Sequence, residues 1–310
     1  MMGTENNEAI VDAVCASCGK AEVDDVKLKK CACDLVKYCT DDCQENHREQ
    51  HEEECMKRLA EIRDRDLFNQ PDESHFGECP ICCLPLPINA GKTMMNTCCS
   101  KLICHGCNYA NINREIEAGL EHRCAYCREP MGKSKEERVK ECMKRVKKND
   151  PAAMSHMGRG CIDEGDYEIA LKYFTKAAEL GDATAHYNLA LMYRKGQFVE
   201  KDNEKEIHYL EEAAIRGHPV ARHDLGCEEA ENGRFERAKK HFIIATNLGY
   251  HNSLSNVKRL YAEGHASKED YADALRAYQA AVDATKSAER KKAEEAFKSG
   301  ESFSILQPQR

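Results

Sequence analysis

The sequence has no tryptophan, and aromatic residues make up only 6% of its 310 residues. So few aromatic side chains disfavour a large β-sandwich or barrel. Long apolar runs are missing too, because the longest apolar stretch, Ile81–Ile88, is interrupted by prolines and is too short to cross a bilayer. The polar, acidic N-terminus shows no basic region and no apolar core. We therefore expect no secretory signal, no membrane partner and an intracellular location, cytoplasmic, nuclear or both.

Charged residues make up 32% of the chain, and the formal net charge is −8. This acidic balance gives no general attraction to nucleic acid, and no base-reading helix is apparent, so we expect no direct DNA recognition. The sequence also shows no hydrolase, nucleotide-binding or redox motif. The composition instead favours small metal-stapled modules joined to an alanine-rich helical part.

Cysteine is the abundant residue, and sixteen of the nineteen cysteines lie in the first 127 residues. In a reducing intracellular compartment, paired cysteine clusters indicate metal sites rather than disulfides. The remaining three, Cys142, Cys161 and Cys227, are solitary, and we expect them to act as small, partly buried apolar residues.

The first cluster contains seven cysteines and one histidine, which is enough for two tetrahedral zinc sites. Its candidate ligands are Cys15, Cys18, Cys31, Cys33, Cys39, Cys43, His51 and Cys55. The segment from Gln44 to Arg65 has a helical composition, so His51 and Cys55 should lie one turn apart on one helix face and hold one ion together. His47 lies one turn earlier and is an alternative ligand, although we favour a solvated helix residue.

This arrangement resembles a MYND-type zinc finger over residues 15–55, including Tyr38 before Cys39. The resemblance implies two interleaved sites and a protein-interaction module. One ion would be held by Cys15, Cys18, Cys39 and Cys43, and the other by Cys31, Cys33, His51 and Cys55. The sequence departs from the usual pattern in one place, where Cys31-x-Cys33 replaces Cys-x-x-Cys.

The second cluster also provides eight candidate ligands, all of them cysteines, and it resembles a RING finger over residues 79–130. The resemblance implies one ion on Cys79, Cys82, Cys104 and Cys107, and another on Cys98, Cys99, Cys124 and Cys127. The histidine usual in such fingers is missing, which makes this an all-cysteine variant with the adjacent Cys98 and Cys99 as ligands. Cys83 and His105 are spare candidates that we expect not to bind.

Two residues connect this finger to ubiquitin transfer through the same resemblance. Ile81 stands where ubiquitin-ligase RING fingers carry an apolar contact to the ubiquitin-conjugating enzyme, and Arg128 stands at the position of their cationic linchpin. Ala125 departs from the proline that active fingers often carry. The alternative is that Ile81 is core packing and Arg128 an ordinary surface cation. In either case all four zinc ions would be structural, since protein ligands fill every position.

From Asp150 onward the sequence repeats, with helix-ending glycines at 181, 217 and 249 that are 36 and 32 residues apart. Glycines at 165, 196 and 233 mark a turn inside each unit. The opening helices carry a small residue at one matched position, namely Gly158, Ala190 and Gly226. A fourth, weaker unit ends near Ala284. The pattern resembles Sel-one-like repeats, relatives of the tetratricopeptide family, which implies stacked helix pairs that bind proteins.

The predicted fold is therefore multidomain, with two small zinc-stapled cross-brace fingers followed by an all-α helical-repeat solenoid. The predicted boundaries are a flexible N-terminus (1–14), a MYND-type finger (15–55), a helical linker (56–78), a RING-like finger (79–130), a basic helical linker (131–149), the repeats (150–284), and a charged helix with a tail (285–310). We expect a zinc-binding protein-interaction adaptor that could act as a RING-type ubiquitin ligase, with the repeats recruiting the client. The alternatives are a non-catalytic multi-partner scaffold and a transcription-linked regulator.

Overall fold

The structure is a computed structural model that describes residues 14–22, 27–132 and 134–299. Almost all of the predicted flexible N-terminus and the end of the predicted tail lie outside the described residues. The chain divides into two compact units, residues 1–69 and 70–310. Among the described residues, no helix combines the length and the hydropathy needed to cross a membrane.

The first unit is a small finger followed by a long helix. Its strands β1 (Lys29–Lys30) and β2 (Lys37–Tyr38) pair antiparallel, and its helices are α1 (Asp41–Asn46) and α2 (Arg48–Leu67). The sequence predicts one continuous helix here, but the helix is interrupted at His47, whose Nδ1 lies 3.0 Å from the hydroxyl of Tyr38. The core consists mainly of cysteines around Leu28 and Tyr38, as expected for a module too small for a conventional core.

The predicted helical linker (56–78) is helical only as far as Leu67. Residues 68–78 form turns and extended chain instead. Pro71 explains this, because proline disfavours the helical conformation of the residue before it and has no N–H for the helix ladder.

The second unit begins with the finger that resembles a RING. It contains a short 3₁₀ helix (Ala90–Lys92), an antiparallel pair of strands β3 (Thr93–Asn96) and β4 (Lys101–Cys104), and helix α3 (His105–Glu117). Ile103 and Leu86 are buried beside the cysteines Cys79 and Cys104. Helix α4 (Lys135–Val146) follows and begins with a capping box at Ser134, so the predicted basic linker is helical over these twelve residues.

The repeats form four antiparallel helix pairs. The pairs are α5 (Pro151–Glu164) with α6 (Tyr167–Glu179), α7 (Ala183–Lys195) with α8 (Asn203–Ile215), α9 (Pro219–Glu231) with α10 (Phe235–Asn247), and α11 (His251–Ala262) with α12 (Lys268–Ala284). The last helix is α13 (Ala288–Lys298). The six glycines that the sequence placed at turns all have positive φ angles, a conformation that glycine adopts without strain.

The matched small residues of the repeats allow close packing inside each pair. A Cβ atom on Gly158 would lie 2.7 Å from Phe174, and one on Gly226 would lie 2.6 Å from Phe242. Both phenylalanines are fully buried. At the corresponding positions of the second pair, the buried residues are Ala190 and Leu210. Where the first helix carries alanine in place of glycine, the second helix carries leucine, which is smaller than phenylalanine.

The segment that leads into the second finger lies on the repeats. The backbone N–H of His75 donates to the carbonyl of Gly217 at 3.0 Å, and the imidazole of His75 stacks on that of His218 with the ring centroids 4.2 Å apart. The ring of Tyr187 also stacks on the imidazole of His218, with the ring centroids 4.5 Å apart. Gly217 is required here, because a Cβ atom would lie 2.9 Å from the carbonyl oxygen of Glu73.

Candidate zinc centres and the surfaces around them

The first predicted ligand group gathers at the start of helix α1. It consists of Cys15, Cys18, Cys39 and Cys43, whose sulfur atoms all lie within 4.8 Å of one another. The sulfur of Cys39 lies 3.5 Å from that of Cys18 and 3.6 Å from that of Cys43. Thr40 caps α1 by accepting a hydrogen bond from the backbone N–H of Cys43 at 3.2 Å, which fixes where this cysteine points.

The second group joins the loop after β1 to helix α2. It consists of Cys31, Cys33, His51 and Cys55. The Nε2 atom of His51 lies 3.1 Å from the sulfur of Cys33, and the sulfurs of Cys31 and Cys55 lie 3.6 Å apart. His51 and Cys55 lie one turn apart on α2, as the sequence predicted. The shortened Cys31-x-Cys33 spacing is compatible with a common site, since Asp34 turns the chain with a φ of 60°.

The third group belongs to the second finger and surrounds the end of β4. It consists of Cys79, Cys82, Cys104 and Cys107. The sulfurs of Cys82 and Cys104 lie 3.9 Å apart. Backbone N–H groups point at two of the sulfurs, from Cys104 to Cys79 at 3.5 Å and from Cys107 to Cys104 at 3.4 Å. Such N–H···S bonds stabilise a thiolate and orient it towards a metal.

The fourth group contains both of the adjacent cysteines. It consists of Cys98, Cys99, Cys124 and Cys127. The sulfur of Cys98 lies 3.4 Å from that of Cys127, and the sulfur of Cys99 lies 3.9 Å from that of Cys124. The chain reverses directly after the pair, where Ser100 has a φ of 57°. Both adjacent side chains can therefore face the same point.

The donor sets fit zinc. A zinc–sulfur distance of about 2.3 Å implies about 3.8 Å between the sulfurs of a regular tetrahedron. Six of the sulfur pairs lie between 3.4 and 3.9 Å apart, and all ligand atoms of a group lie within 4.8 Å of one another. Three groups offer four sulfurs and one offers three sulfurs and an imidazole nitrogen, which are typical structural zinc sets. No group leaves a position for a reactive water, so these ions would hold the fingers together and not catalyse.

The pKa values of the thiols describe the same crowding. The hydrogen bond from Cys104 lowers the pKa of Cys79 to about 4, while the bond to Cys79 raises the pKa of Cys104. Likewise, the bond from Cys98 lowers the pKa of Cys124 to about 5, and the pKa of Cys98 rises. In each pair, deprotonation of one thiol thus makes deprotonation of its neighbour less favourable. A divalent cation supplies the charge that lets four neighbouring thiolates coexist.

The spare candidates lie outside the four groups. Cys83 is exposed on the third group's loop, and His47 is occupied by the hydroxyl of Tyr38. His105 begins helix α3, where burial lowers its pKa. Among the solitary cysteines, Cys142 and Cys161 are buried and Cys227 is partly buried, which agrees with their predicted apolar role.

The two residues predicted to contact partners differ in their surroundings. Ile81 is 41% exposed between the first two ligands of the third group. Arg128 is half-exposed, but its Nη1 atom donates to the Oδ1 atom of Asn111 at 2.7 Å and its Nη2 atom lies 3.6 Å from the buried carboxylate of Glu115. Neither Asn111 nor Glu115 was predicted from the sequence. The two residues lie four positions apart on α3, a spacing that places side chains on one helix face.

Comparison with protein families identifies two of the three kinds of module. Residues 15–55 match the MYND finger family, and residues 152–182 and 183–218 match the Sel1 repeat family. A comparison with curated proteins gave no match.

Two solved structures are similar to part of this chain. A Sel1 repeat protein from Oxalobacter formigenes shows 26% sequence identity and a TM-score of 0.44, over 57% of this chain and 72% of that chain. The protective antigen c5321 of uropathogenic Escherichia coli, which displays an SLR fold, shows 22% identity and a TM-score of 0.39, over 58% of this chain and 38% of that chain. The chain thus spans well under half the length of the second protein.

The two family matches and the four ligand groups confirm the predicted fold class and the predicted structural zinc sites. The cysteine clusters of the RING-like finger are present in the structure beside the two matched families. This chain therefore carries a MYND zinc finger followed by RING-like cysteine clusters and Sel1 repeats.

Proposed function

We propose that this protein is a zinc-dependent adaptor whose RING-like finger binds a ubiquitin-conjugating enzyme while its repeats hold the client. MYND fingers and Sel1 repeats are protein-interaction modules, which supports the role of an adaptor. Ubiquitin transfer would be the task of the RING-like finger.

The observation that supports binding of a ubiquitin-conjugating enzyme is the exposure of Ile81 beside a zinc-ligand set typical of RING fingers. An isoleucine between two ligands could have been buried as core. Instead, 41% of it is accessible to solvent, while Leu86 and Ile103 fill the interior of the same finger. An apolar side chain held outward by a rigid zinc loop is suited to contact another protein.

The finger would act by placing two reactants close together. The client's lysine amine attacks the thioester that links ubiquitin to the conjugating enzyme, an amide bond forms, and the enzyme's thiolate leaves. No side chain of this protein forms a covalent bond in that step. The gain in rate comes from proximity and orientation, since finger and repeats belong to one compact unit.

A non-catalytic scaffold is the second candidate, and one observation favours it. The guanidinium of Arg128, the expected linchpin, already donates a hydrogen bond to Asn111 and lies beside the buried carboxylate of Glu115. Arginine provides five N–H donors in a planar fork, so donors remain for a partner, but the side chain is less free than a solvated surface arginine.

Direct binding of purified ubiquitin-conjugating enzymes, measured by isothermal titration calorimetry on the full chain, tests the proposal. We expect at least one enzyme of a panel to bind, and Ile81→Ala to weaken that binding at least about tenfold, as truncation of a central apolar contact does. Ile169→Ala is the matched control, because Ile169 on α6 is similarly exposed at 46% but lies on the repeats. Absence of binding by fully zinc-loaded protein, or equal weakening by both variants, would favour the scaffold.

A further inference from the structure

The C-terminal helix α13 packs directly on the RING-like finger. A Cβ atom on Gly106, in the first turn of α3, would lie 2.6 Å from the backbone nitrogen of Arg290 and 2.8 Å from its Cα atom. The two helix backbones therefore touch. Ala293 and Ala296 of α13 are buried, and Glu294 pairs with Lys92 of the finger at 3.3 Å. The helix predicted as a charged terminal segment thus has a partner within its own unit.

The guanidinium of Arg290 reaches the loop that carries the first two ligands of the third zinc group. Its Nη1 atom donates to the carbonyl of Pro85 at 2.7 Å and to the carbonyl of Thr285, also at 2.7 Å. Its Nη2 atom donates to the carbonyl of Leu84 at 3.2 Å and to the sulfur of Cys82 at 3.4 Å. A single side chain thus binds the loop backbone, the end of α12 and a ligand sulfur.

This contact has a chemical consequence for a zinc ion held by four thiolates. Such a site carries a net charge of about −2, since four thiolates outweigh one divalent cation. An arginine is always protonated in proteins, so Arg290 supplies a permanent positive charge beside the site. An N–H···S bond to a ligand also fixes the direction of that ligand's sulfur. Partners of metal ligands commonly change metal affinity 10–100-fold when they are removed.

We infer that Arg290 is an outer-shell partner of the zinc bound by Cys79, Cys82, Cys104 and Cys107, so that α13 is an integral part of the RING-like finger. Zinc binding at this site and docking of α13 are then coupled and stabilise each other. The finger includes residues 79–130 and a helix almost 160 residues later in the sequence. This inference does not depend on ubiquitin transfer.

Zinc release from the full chain tests the inference. We expect Arg290→Ala to release one of four zinc ions at least about tenfold faster into excess chelator, as counted by native mass spectrometry over time. The other three ions should leave at the wild-type rate. Lys291→Ala is the matched control, because Lys291 is the next residue on α13 and its side chain is 78% exposed. Unchanged release of all four ions in Arg290→Ala would overturn the inference.

Thiol alkylation during release identifies the site and separates a local effect from unfolding. In Arg290→Ala, the four cysteines of the third group should be alkylated before the remaining ligands, while helical circular dichroism stays constant. Arg290→Lys retains the charge but cannot make all four hydrogen bonds, so we expect an intermediate rate. Uniform alkylation of all fifteen candidate cysteine ligands would contradict a specific partner of the third site.

Coupling must also act in the reverse direction. Cys82→Ala removes one ligand of the third group, and we expect faster amide hydrogen exchange in α13 as a result. Cys83→Ala is the control, since this neighbouring cysteine is exposed and lies outside the group. Equal exchange in α13 for both variants would show that the helix docks independently of the zinc site.

Discussion

The Nη2 atom of Arg128 lies 3.6 Å from the Oε1 atom of Glu115, whose carboxylate is buried in the last turn of α3. Burial raises the pKa of Glu115, but hydrogen bonds from His122 and from the backbone of Arg123 outweigh this effect, so its pKa is lowered and it stays ionised. The loop that carries the last zinc ligands is thereby tied to α3.

Replacement of Glu115 by glutamine should loosen this connection. The neutral amide keeps the shape but loses the charge that holds His122 and Arg128, a loss of roughly 1–3 kcal/mol for hydrogen bonds to a charged group. We expect about tenfold or greater acceleration of amide hydrogen exchange in α3. Glu117→Gln is the control, because Glu117 lies on the same helix and is exposed. Identical exchange in both variants would contradict a structural role for Glu115.

Close packing in the repeats predicts opposite effects for two glycines of helix α5. Gly158→Ala should destabilise the repeats by about 1–3 kcal/mol, because its Cβ atom would collide with Phe174. Gly160→Ala should be neutral or stabilising by up to about 1 kcal/mol, since nothing lies within 4 Å and alanine favours helix. Urea unfolding followed by circular dichroism gives both values. Equal changes in the unfolding free energy would show that helix propensity, and not the contact with Phe174, determines the effect of Gly158→Ala.

The adjacent cysteines of the fourth group predict a countable change in metal content. Cys99→Ser should reduce the zinc content in native mass spectra from four ions to three or weaken the fourth ion, since its sulfur faces that of Cys124 at 3.9 Å. Cys83→Ser should retain four ions, because Cys83 is exposed and belongs to no group. Four tightly held ions in Cys99→Ser would mean that only one of the adjacent cysteines is a ligand.

The stacked histidines predict a pH dependence for the contact between the second finger and the repeats. Burial lowers the pKa of His75 to about 4, and the positive charge of Arg159 contributes to this shift. The pKa of His218, on which His75 stacks, is also lowered, by burial and by the neighbouring His75. Because the folded-state pKa lies below the unfolded value of about 6.5, the unfolded state binds the proton more readily. The stabilisation is complete above about pH 6.5 and declines as the pH falls towards 4.

His75→Phe keeps the ring stack but cannot be protonated, so it should reduce the loss of stability between pH 7 and pH 5.5. We expect the difference in unfolding free energy between these two pH values to be smaller in the variant than in the wild type, by about 1 kcal/mol. His265→Phe serves as the control, since its ring stacks on Phe235 in another part of the repeats. The same pH dependence in wild type and His75→Phe would show that His75 is not protonated on unfolding.

The sequence was sufficient for features set by local spacing. The ligand pairs, the His51–Cys55 helix turn and the glycines at 165, 196 and 233 all follow from distances of a few residues, and such spacings have few geometric solutions. The position of the helix interruption was not predicted: His47, where the helix is interrupted, contacts Tyr38, which lies nine residues earlier on β2.

Features that depend on long-range packing could not be predicted. Arg290 lies 208 residues from Cys82, and no periodicity of α13 indicates that its partner is a zinc finger. The stack of His75 on His218 likewise joins a turn that precedes the second finger to the cap of a repeat helix. A single sequence gives the composition of these surfaces, but their pairing is decided by how whole elements pack.

Ubiquitin transfer in vitro is the measurement that tests the proposed function most directly. The full chain, shown by native mass spectrometry to hold four zinc ions, would be combined with a panel of charged conjugating enzymes. We expect ubiquitin chains with at least one enzyme, and their loss in Ile81→Ala and Arg128→Ala but not in Arg276→Ala, a control arginine exposed on α12. No transfer across the panel, or equal transfer by all three variants, would contradict a RING-type ligase and leave the protein as a scaffold.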